Sequence, residues 1–307
     1  METITSATNP KIKNLLLLQE KSKARREQGL FVVEGQRELQ HCIEAGYKVH
    51  TVFVCPEIID PSSVSDLLRM TDSRGHSEQH SCHSEQHSCH SEQHSCHSEQ
   101  HSCHSEQHSC HSERSEESII EVPTTLYKKI AYREGTEGII AEVEAKSLAL
   151  EDLALPENPL IVVLESVEKP GNLGAVLRSA DAAKADAVIV CDPLTDLYNP
   201  NLIRASIGAI FTVPTVAASS EETIAFLKAR GIQILTAQLQ DSSLYYDVDM
   251  KRGTAIVMGT ESTGLTNVWR RAASAHIRIP MLGQLDSLNV SVSASILLFE
   301  AVRQRMA

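Results

Sequence analysis

The sequence predicts an α/β protein: a parallel sheet flanked by helices, preceded by a smaller α/β unit. From Leu160 onward five short apolar runs, LIVVLE, AVIVCD, IQILTA, TAIVMG and HIRIP, recur with amphipathic stretches between them. A run that is apolar at every position suits a strand covered on both faces. Upstream, strand-like and helix-like stretches alternate over shorter spans, the pattern of a second, smaller α/β unit. The heptad HSEQHSC, five times over from His76 to Cys110, interrupts that smaller unit.

A chain of 307 residues leaves room for about two domains. The expected boundaries are a first domain at 1–145 with an insertion at about 73–117, a linker at 146–159, and a second domain at 160–307. No apolar run approaches the roughly 18–20 residues that cross a bilayer. No basic segment leads into an apolar core at the N-terminus. These features point away from a membrane and towards the cytoplasm.

The formal net charge of −12 argues against a nucleic-acid partner only if it is evenly spread. It is not: His76–Glu117 holds eight Glu and one Arg, so the rest of the chain carries −12 + 7 = −5. Lys11–Arg26 holds six basic residues against one Glu, and local charge is what a phosphate backbone meets. Lys21, Lys23, Arg25 and Arg26 are the candidate RNA contacts, with a solvated helix face as the plainer alternative. Five of the eight Cys fall in the repeat, leaving Cys42, Cys55 and Cys191 without paired spacing. Scattered thiols of this kind suit a reducing compartment.

In chain order, residues 1–26 read as a helix with a charged end. Phe31–Glu34 is a short strand stopped by Gly35, and Arg37–Ala45 is a helix with Leu39, Cys42 and Ile43 on one face. Val49–Val54 is a strand and Pro61–Met70 a helix. The repeat has no aliphatic position, so its heptad period offers no seam for a coiled coil. Its composition reads as a disordered insertion; a zinc or copper site in the His and Cys is the weaker reading, and no metal is expected. Ser118–Val122, Thr124–Ala131 and Gly138–Val143 read as strand, helix and strand. Glu34, an acid at the end of an apolar run, is expected to be a scaffold group.

In the second domain the first strand runs into PGNLGAVLR, where Asn172 is placed to cap a helix. Leu173, Val176, Leu177 and Ala180 fall at i, i+3, i+4 and i+7, which leaves Arg178 at the margin of the buried stripe. A G-x-G-x-x-G fingerprint is absent. A helix is expected over Asn201–Ile210. TAIVMG leads into a turn with Gly259, Glu261 and Gly264; HIRIP leads into a loop from which Ser287-Leu288-Asn289 opens the last helix. That helix carries one apolar stripe at Val290, Ala294, Leu297, Leu298 and Ala301 and another at Val292, Ile296, Phe299 and Val302. A helix apolar on two sides wants two partners: its own sheet and a second subunit. His276 is expected to be structural.

PGNLGAVLR, RASIGAIF, MGTESTGL and IPMLGQLDSLNVSVSASILLFE, in that order, resemble the successive motifs of the SpoU/TrmH family of RNA ribose 2′-O-methyltransferases, within the SPOUT superfamily. FVVEGQREL is similar to the substrate-binding domain that many members carry. The resemblance covers nearly the whole chain except the repeat. It implies S-adenosylmethionine as cofactor, RNA as substrate (ribosomal RNA first, tRNA as the alternative), a homodimer, and a C-terminal trefoil knot, a threading otherwise almost absent from known folds. By position, Asn172, Arg178, Glu261, Ser287 and Asn289 match the family's active-site residues, and Gly259, Gly264, Ile279, Met281 and Leu288 the cofactor site. Lys169 stands where many members have Asp.

The chemistry suits those roles. Strand-end backbone and short apolar side chains such as Ile279 and Leu288 suit a flat ring. Methyl transfer is an in-line displacement that rewards positioning, and a ribose hydroxyl must lose its proton. The family gives that task to the arginine. A guanidinium stays protonated in nearly all settings, so the role read here for Arg178 is to orient the ribose and stabilise the developing alkoxide. A non-catalytic RNA-binding protein of the same fold is the competing reading; it would have no need of the full set Asn172, Arg178, Glu261, Ser287 and Asn289.

Overall fold

The computed structural model describes residues 2–64, 68, 118–132, 137–260 and 263–306. The repeat and Glu261 lie outside the described residues, as does most of the later half of the helix expected at Pro61–Met70, of which 61–64 are helical.

The first unit runs β1 (Glu2–Thr3), α1 (Pro10–Glu20), α2 (Ser22–Gln28), β2 (Leu30–Glu34), α3 (Gln36–Glu44), β3 (Val49–Val54), β4 (Ser118–Glu121), α4 (Thr124–Ile130) and β5 (Ile139–Glu144). Its strands form one sheet in the order β1-β4-β3-β5-β2. β1, β4 and β3 are parallel, and β5 runs antiparallel to both β3 and β2. The single N-terminal helix expected from the charge pattern is two helices, broken at Lys21, whose backbone is extended. Glu34 is a scaffold group: its buried carboxylate accepts from the Tyr132 N–H at 2.8 Å.

The second unit runs β6 (Leu160–Glu165), α5 (Pro170–Ala182), β7 (Ala187–Cys191), α6 (Pro200–Ser206), α7 (Ala209–Thr212), β8 (Thr215–Ala218), α8 (Ser220–Ala229), β9 (Gln233–Ala237), β10 (Ser243–Leu244), β11 (Thr254–Met258), α9 (Asn267–Ala272), β12 (Ala275–Arg278) and α10 (Val290–Met306). All seven strands are parallel, in the order β10-β12-β9-β11-β6-β7-β8. β6 shows why its sequence has no polar alternation. Leu160, Val162 and Leu164 enter one apolar cluster and Ile161 and Val163 the cluster on the opposite face. His276 pairs across the sheet, its Nδ1 2.6 Å from Thr236 Oγ1.

Two expectations are corrected here, and three strands were missed. The helix over Asn201–Ile210 is two helices, because Ile207 turns left-handed at φ 54°. The last helix begins at Val290 rather than Ser287. The short β1, β8 and β10 were not legible, being two to four residues long, too brief for a period to register.

The two units share a core. The first apolar cluster runs from Phe31, Val33 and Leu39 through Leu160 and Leu173 to Leu297. Phe31 stacks on Tyr198 at a centroid distance of 4.2 Å. Within the stretch expected as a linker, Lys146 exchanges backbone hydrogen bonds with the Tyr198 hydroxyl, and Leu150 and Leu153 are buried in the second apolar cluster.

Candidate functional site

The site is assembled at the carboxyl ends of β6, β9 and β11, where an open parallel sheet places its ligands. β11 ends at Gly259. A Cβ there would lie 2.3 Å from the carbonyl carbon and oxygen of Gly264, so any side chain forces the two strands of the turn apart. Gly264 has φ 66°, a left-handed conformation that glycine adopts freely. Its N–H donates to the Thr260 carbonyl at 3.1 Å, and the Thr260 and Thr263 hydroxyls meet at 2.7 Å. The turn therefore closes on itself. Its exit is anchored by Glu165, the buried acid that ends β6. That carboxylate accepts from the Thr266 N–H at 2.9 Å and the Thr266 hydroxyl at 2.6 Å. Sequence reasoning missed Glu165, although an acid closing an otherwise apolar run was the available signal.

Asn172 does not cap α5. The capping position belongs to Lys169, which makes no side-chain capping bond. Asn172 sits in the first turn, and its Oδ1 accepts from Asn289 Nδ2 at 3.2 Å. Asn289 is itself the cap of α10: its Oδ1 accepts from the Ser291 N–H at 2.9 Å and the Ser291 hydroxyl at 2.6 Å. The contact continues along the two helices. The Ser295 hydroxyl donates to the Ser291 carbonyl at 2.9 Å, and the Ser179 and Ser295 hydroxyls meet at 2.6 Å. Arg178, next to Ser179, is exposed on α5 and forms no ion pair among the described residues.

Two cavities flank the start of α10. One, of about 130 Å³, is lined by Val167, Glu168, Lys169, Asn172, Gly259, Thr260 and Val290. The other, of about 150 Å³, is lined by Ala237, Gln238, Leu239, Ile279, Met281, Asp286, Ser287, Leu288 and Ser293. The expected cofactor residues Ile279, Met281 and Leu288 thus share one cavity with Ser287, while Gly259 lies in the other with Asn172. Gly264 lines neither; it shapes the turn. Gln238 was not foreseen. Its Oε1 is shielded from solvent and has no hydrogen-bond partner among the described residues, a condition that favours an incoming donor.

A larger cavity, about 560 Å³, is elsewhere, at the junction of the two units between Tyr47, Lys146, Tyr198 and Phe211. Its walls are mainly aromatic and aliphatic, and none of the expected site residues faces it. Size alone does not mark the chemistry here.

Of the four expected RNA contacts, Lys21, Lys23 and Arg26 are exposed. Arg25 is not. It is 4% exposed, its Nε donates to Asp196 at 2.6 Å, and its guanidinium also donates to the Leu18 and Gln19 carbonyls. It serves the joint between the units and is withdrawn from the surface. Cys42, Cys55 and Cys191 are free and buried. Burial pushes the Cys191 thiol up to about 12 and raises the other two, so none is poised as a thiolate nucleophile. No helix among the described residues is long and apolar enough to cross a membrane.

Comparison with known proteins agrees with this geometry. Residues 159–299 match the model of the SpoU rRNA methylase family, and residues 9–91 match an MRM3-like substrate binding domain. The chain is 38% identical over 181 residues to the 23S rRNA (guanosine-2′-O-)-methyltransferase RlmB of Ralstonia nicotianae, covering 57% of this chain and 73% of the relative. It is 33% identical over 198 residues to the 23S rRNA (uridine(2479)-2′-O)-methyltransferase of Streptomyces viridochromogenes, covering 62% and 69%. Among solved structures, the AdoMet-bound rRNA methyltransferase from Sinorhizobium meliloti superposes with a TM-score of 0.78 at 27% identity, over 100% of this chain and 99% of that one.

Proposed function

The chain belongs to the SpoU rRNA methylase family, and from that premise we propose that it methylates the 2′-hydroxyl of a ribose in ribosomal RNA with S-adenosylmethionine as donor. The observation that carries the reading is the Asn172–Asn289 bond at 3.2 Å. It ties the helix bearing Arg178, whose Asn172 lines one cavity, to the segment whose Ser287 and Leu288 line the other.

The residues present fit the cofactor. Gly259 lines one cavity, and Ile279, Met281 and Leu288 supply apolar walls for a ring in the other. The buried acceptor of Gln238 lacks a donor among the described residues. When bound, S-adenosylmethionine supplies an electrophilic methyl carbon on a sulfonium. Arg178 would orient the ribose hydroxyl and stabilise the negative charge that develops on its 2′-oxygen. The hydroxyl proton passes to a phosphate oxygen of the substrate. Asn289, capping α10, and Asn172 hold the two helices at a fixed separation; Ser287 lines the loop beside them. Glu261 is the fifth member of the proposed set, with a pairing to Arg178 or to substrate as its role.

The finer features belong to the same proposal. The C-terminal segment threads as a trefoil knot, the protein acts in the cytoplasm, and residues 1–145 form the RNA-binding unit. It works as a homodimer through the second stripe of α10, where Val292 and Phe299 are 46% and 48% exposed.

Methyl incorporation tests the function. Labelled S-adenosylmethionine and the purified protein should transfer label to ribosomal RNA from a strain lacking this gene, at one mapped ribose. Absence of label from that RNA, with label on tRNA or on none, overturns the reading.

A further inference from the structure

Correcting Arg25 from a surface contact to a buried one changes what the basic helix can do. The strand order β11-β6-β7 puts three neighbouring carboxyl ends side by side. Adjacent strands lie about 4.8 Å apart, so the loops after β11, β6 and β7 span on the order of 10 Å. The first holds Gly259; the second holds Lys169 and leads into Asn172 in the first turn of α5. The third, residues 192–199, holds Asp196.

Arg25 docks α2 onto that third loop. The Arg25–Asp196 pair is 2.6 Å long, with side chains 5% and 14% exposed. Asp196 is fixed in turn: its second oxygen accepts from the Tyr198 N–H at 3.0 Å, and Tyr198 stacks on Phe31. A buried, multiply bonded guanidinium is a rigid fastener. The other three cations of the same stretch, Lys21, Lys23 and Arg26, are exposed. Among the described residues Lys21 and Lys23 pair with the exposed Glu20 and Glu27, at 4.0 and 3.7 Å, weak surface pairs that a phosphate displaces.

We propose that substrate RNA lies across the carboxyl edge of the second sheet, its phosphates gripped by Lys21, Lys23 and Arg26, and that the Arg25–Asp196 joint holds this grip at a set distance from Arg178. The proposal rests on the methyltransferase reading above. It makes Arg25 and Asp196 positioning residues, acting through the placement of the arm and not by touching RNA.

The test uses the full chain and unmodified ribosomal RNA made by transcription. The triple variant Lys21→Ala, Lys23→Ala, Arg26→Ala alters only exposed side chains. Its RNA affinity should fall at least tenfold, and the slope of log K against log salt should flatten by about 2 to 3, one for each lost phosphate contact. Calorimetric binding of S-adenosylmethionine should stay at the parental value. Asp196→Asn keeps all three cations and an acceptor. It should keep the parental salt slope while kcat/KM on RNA falls about tenfold, the loss expected from a misplaced substrate. A triple variant with parental affinity and slope overturns the grip. Asp196→Asn with parental kcat/KM, or with the flattened slope of the triple variant, overturns the joint. If the parent itself binds no S-adenosylmethionine, the methyltransferase reading fails first, whatever the arm variants do.

Discussion

Glu142 shows how one buried side chain sets a property of the fold. It lies on β5 with a side chain 6% exposed. Burial pushes its carboxyl up to about 7, against the opposing pull of an Asn14 hydrogen bond and the Lys11 charge. A raised acid holds its proton more tightly folded than unfolded. Its contribution is therefore complete below about 4.5 and is lost as the pH climbs through about 7. Glu142→Gln should flatten that decline. Unfolding free energies from urea titrations at pH 5 and pH 7.5 should differ by on the order of 1–3 kcal/mol less in the variant than in the parent; an equal decline in both would show that another group titrates. The candidate site obeys the same local logic. Gly259 was legible as a strand-ending glycine, but its need to be glycine comes from Gly264 lying across it.

Between elements, the contact that matters is that of α5 and α10. Their hydroxyl ladder runs from Asn172 and Asn289 through Ser291 and Ser295 to Ser179, beside Arg178. The hydrophobic stripes of both helices were readable: Leu173, Val176, Leu177 and Ala180 are buried, as are Ala294, Leu297, Leu298 and Ala301. The polar ladder was not, because no period marks a serine that meets a partner more than a hundred residues away. Ser179→Ala and Ser295→Ala should each cost about 1 kcal/mol in thermal or urea unfolding. Combined, they should cost little more than either alone, since both remove one bond. Strict additivity would show the two hydroxyls to be independent.

For the whole molecule, the surface of α10 is the feature still to be covered. One stripe packs on the sheet, while Phe299 is 48% and Val292 46% exposed on the other side. Burying one Phe side chain contributes about 1.5–3 kcal/mol, and a twofold contact counts it twice. Sedimentation of the parent at micromolar concentration should give a dimer, and Phe299→Glu should give a folded monomer. A parental monomer, or a Phe299→Glu dimer of parental strength, would place the subunit contact elsewhere or remove it.

The sequence by itself determined five of the seven strands of the second unit, the apolar faces of its helices, and the four ordered motifs that mark the family, because each of these is written in a local pattern of apolar and glycine positions. Tertiary structure alone decided that Arg25 is buried against Asp196, that Asn172 meets Asn289 instead of capping its own helix, and that Leu150 and Leu153 are buried within the stretch between the units. Those outcomes depend on which distant groups arrive at the same place, and a charge or an amide looks the same in sequence whether it ends in water or against a partner brought there by the fold.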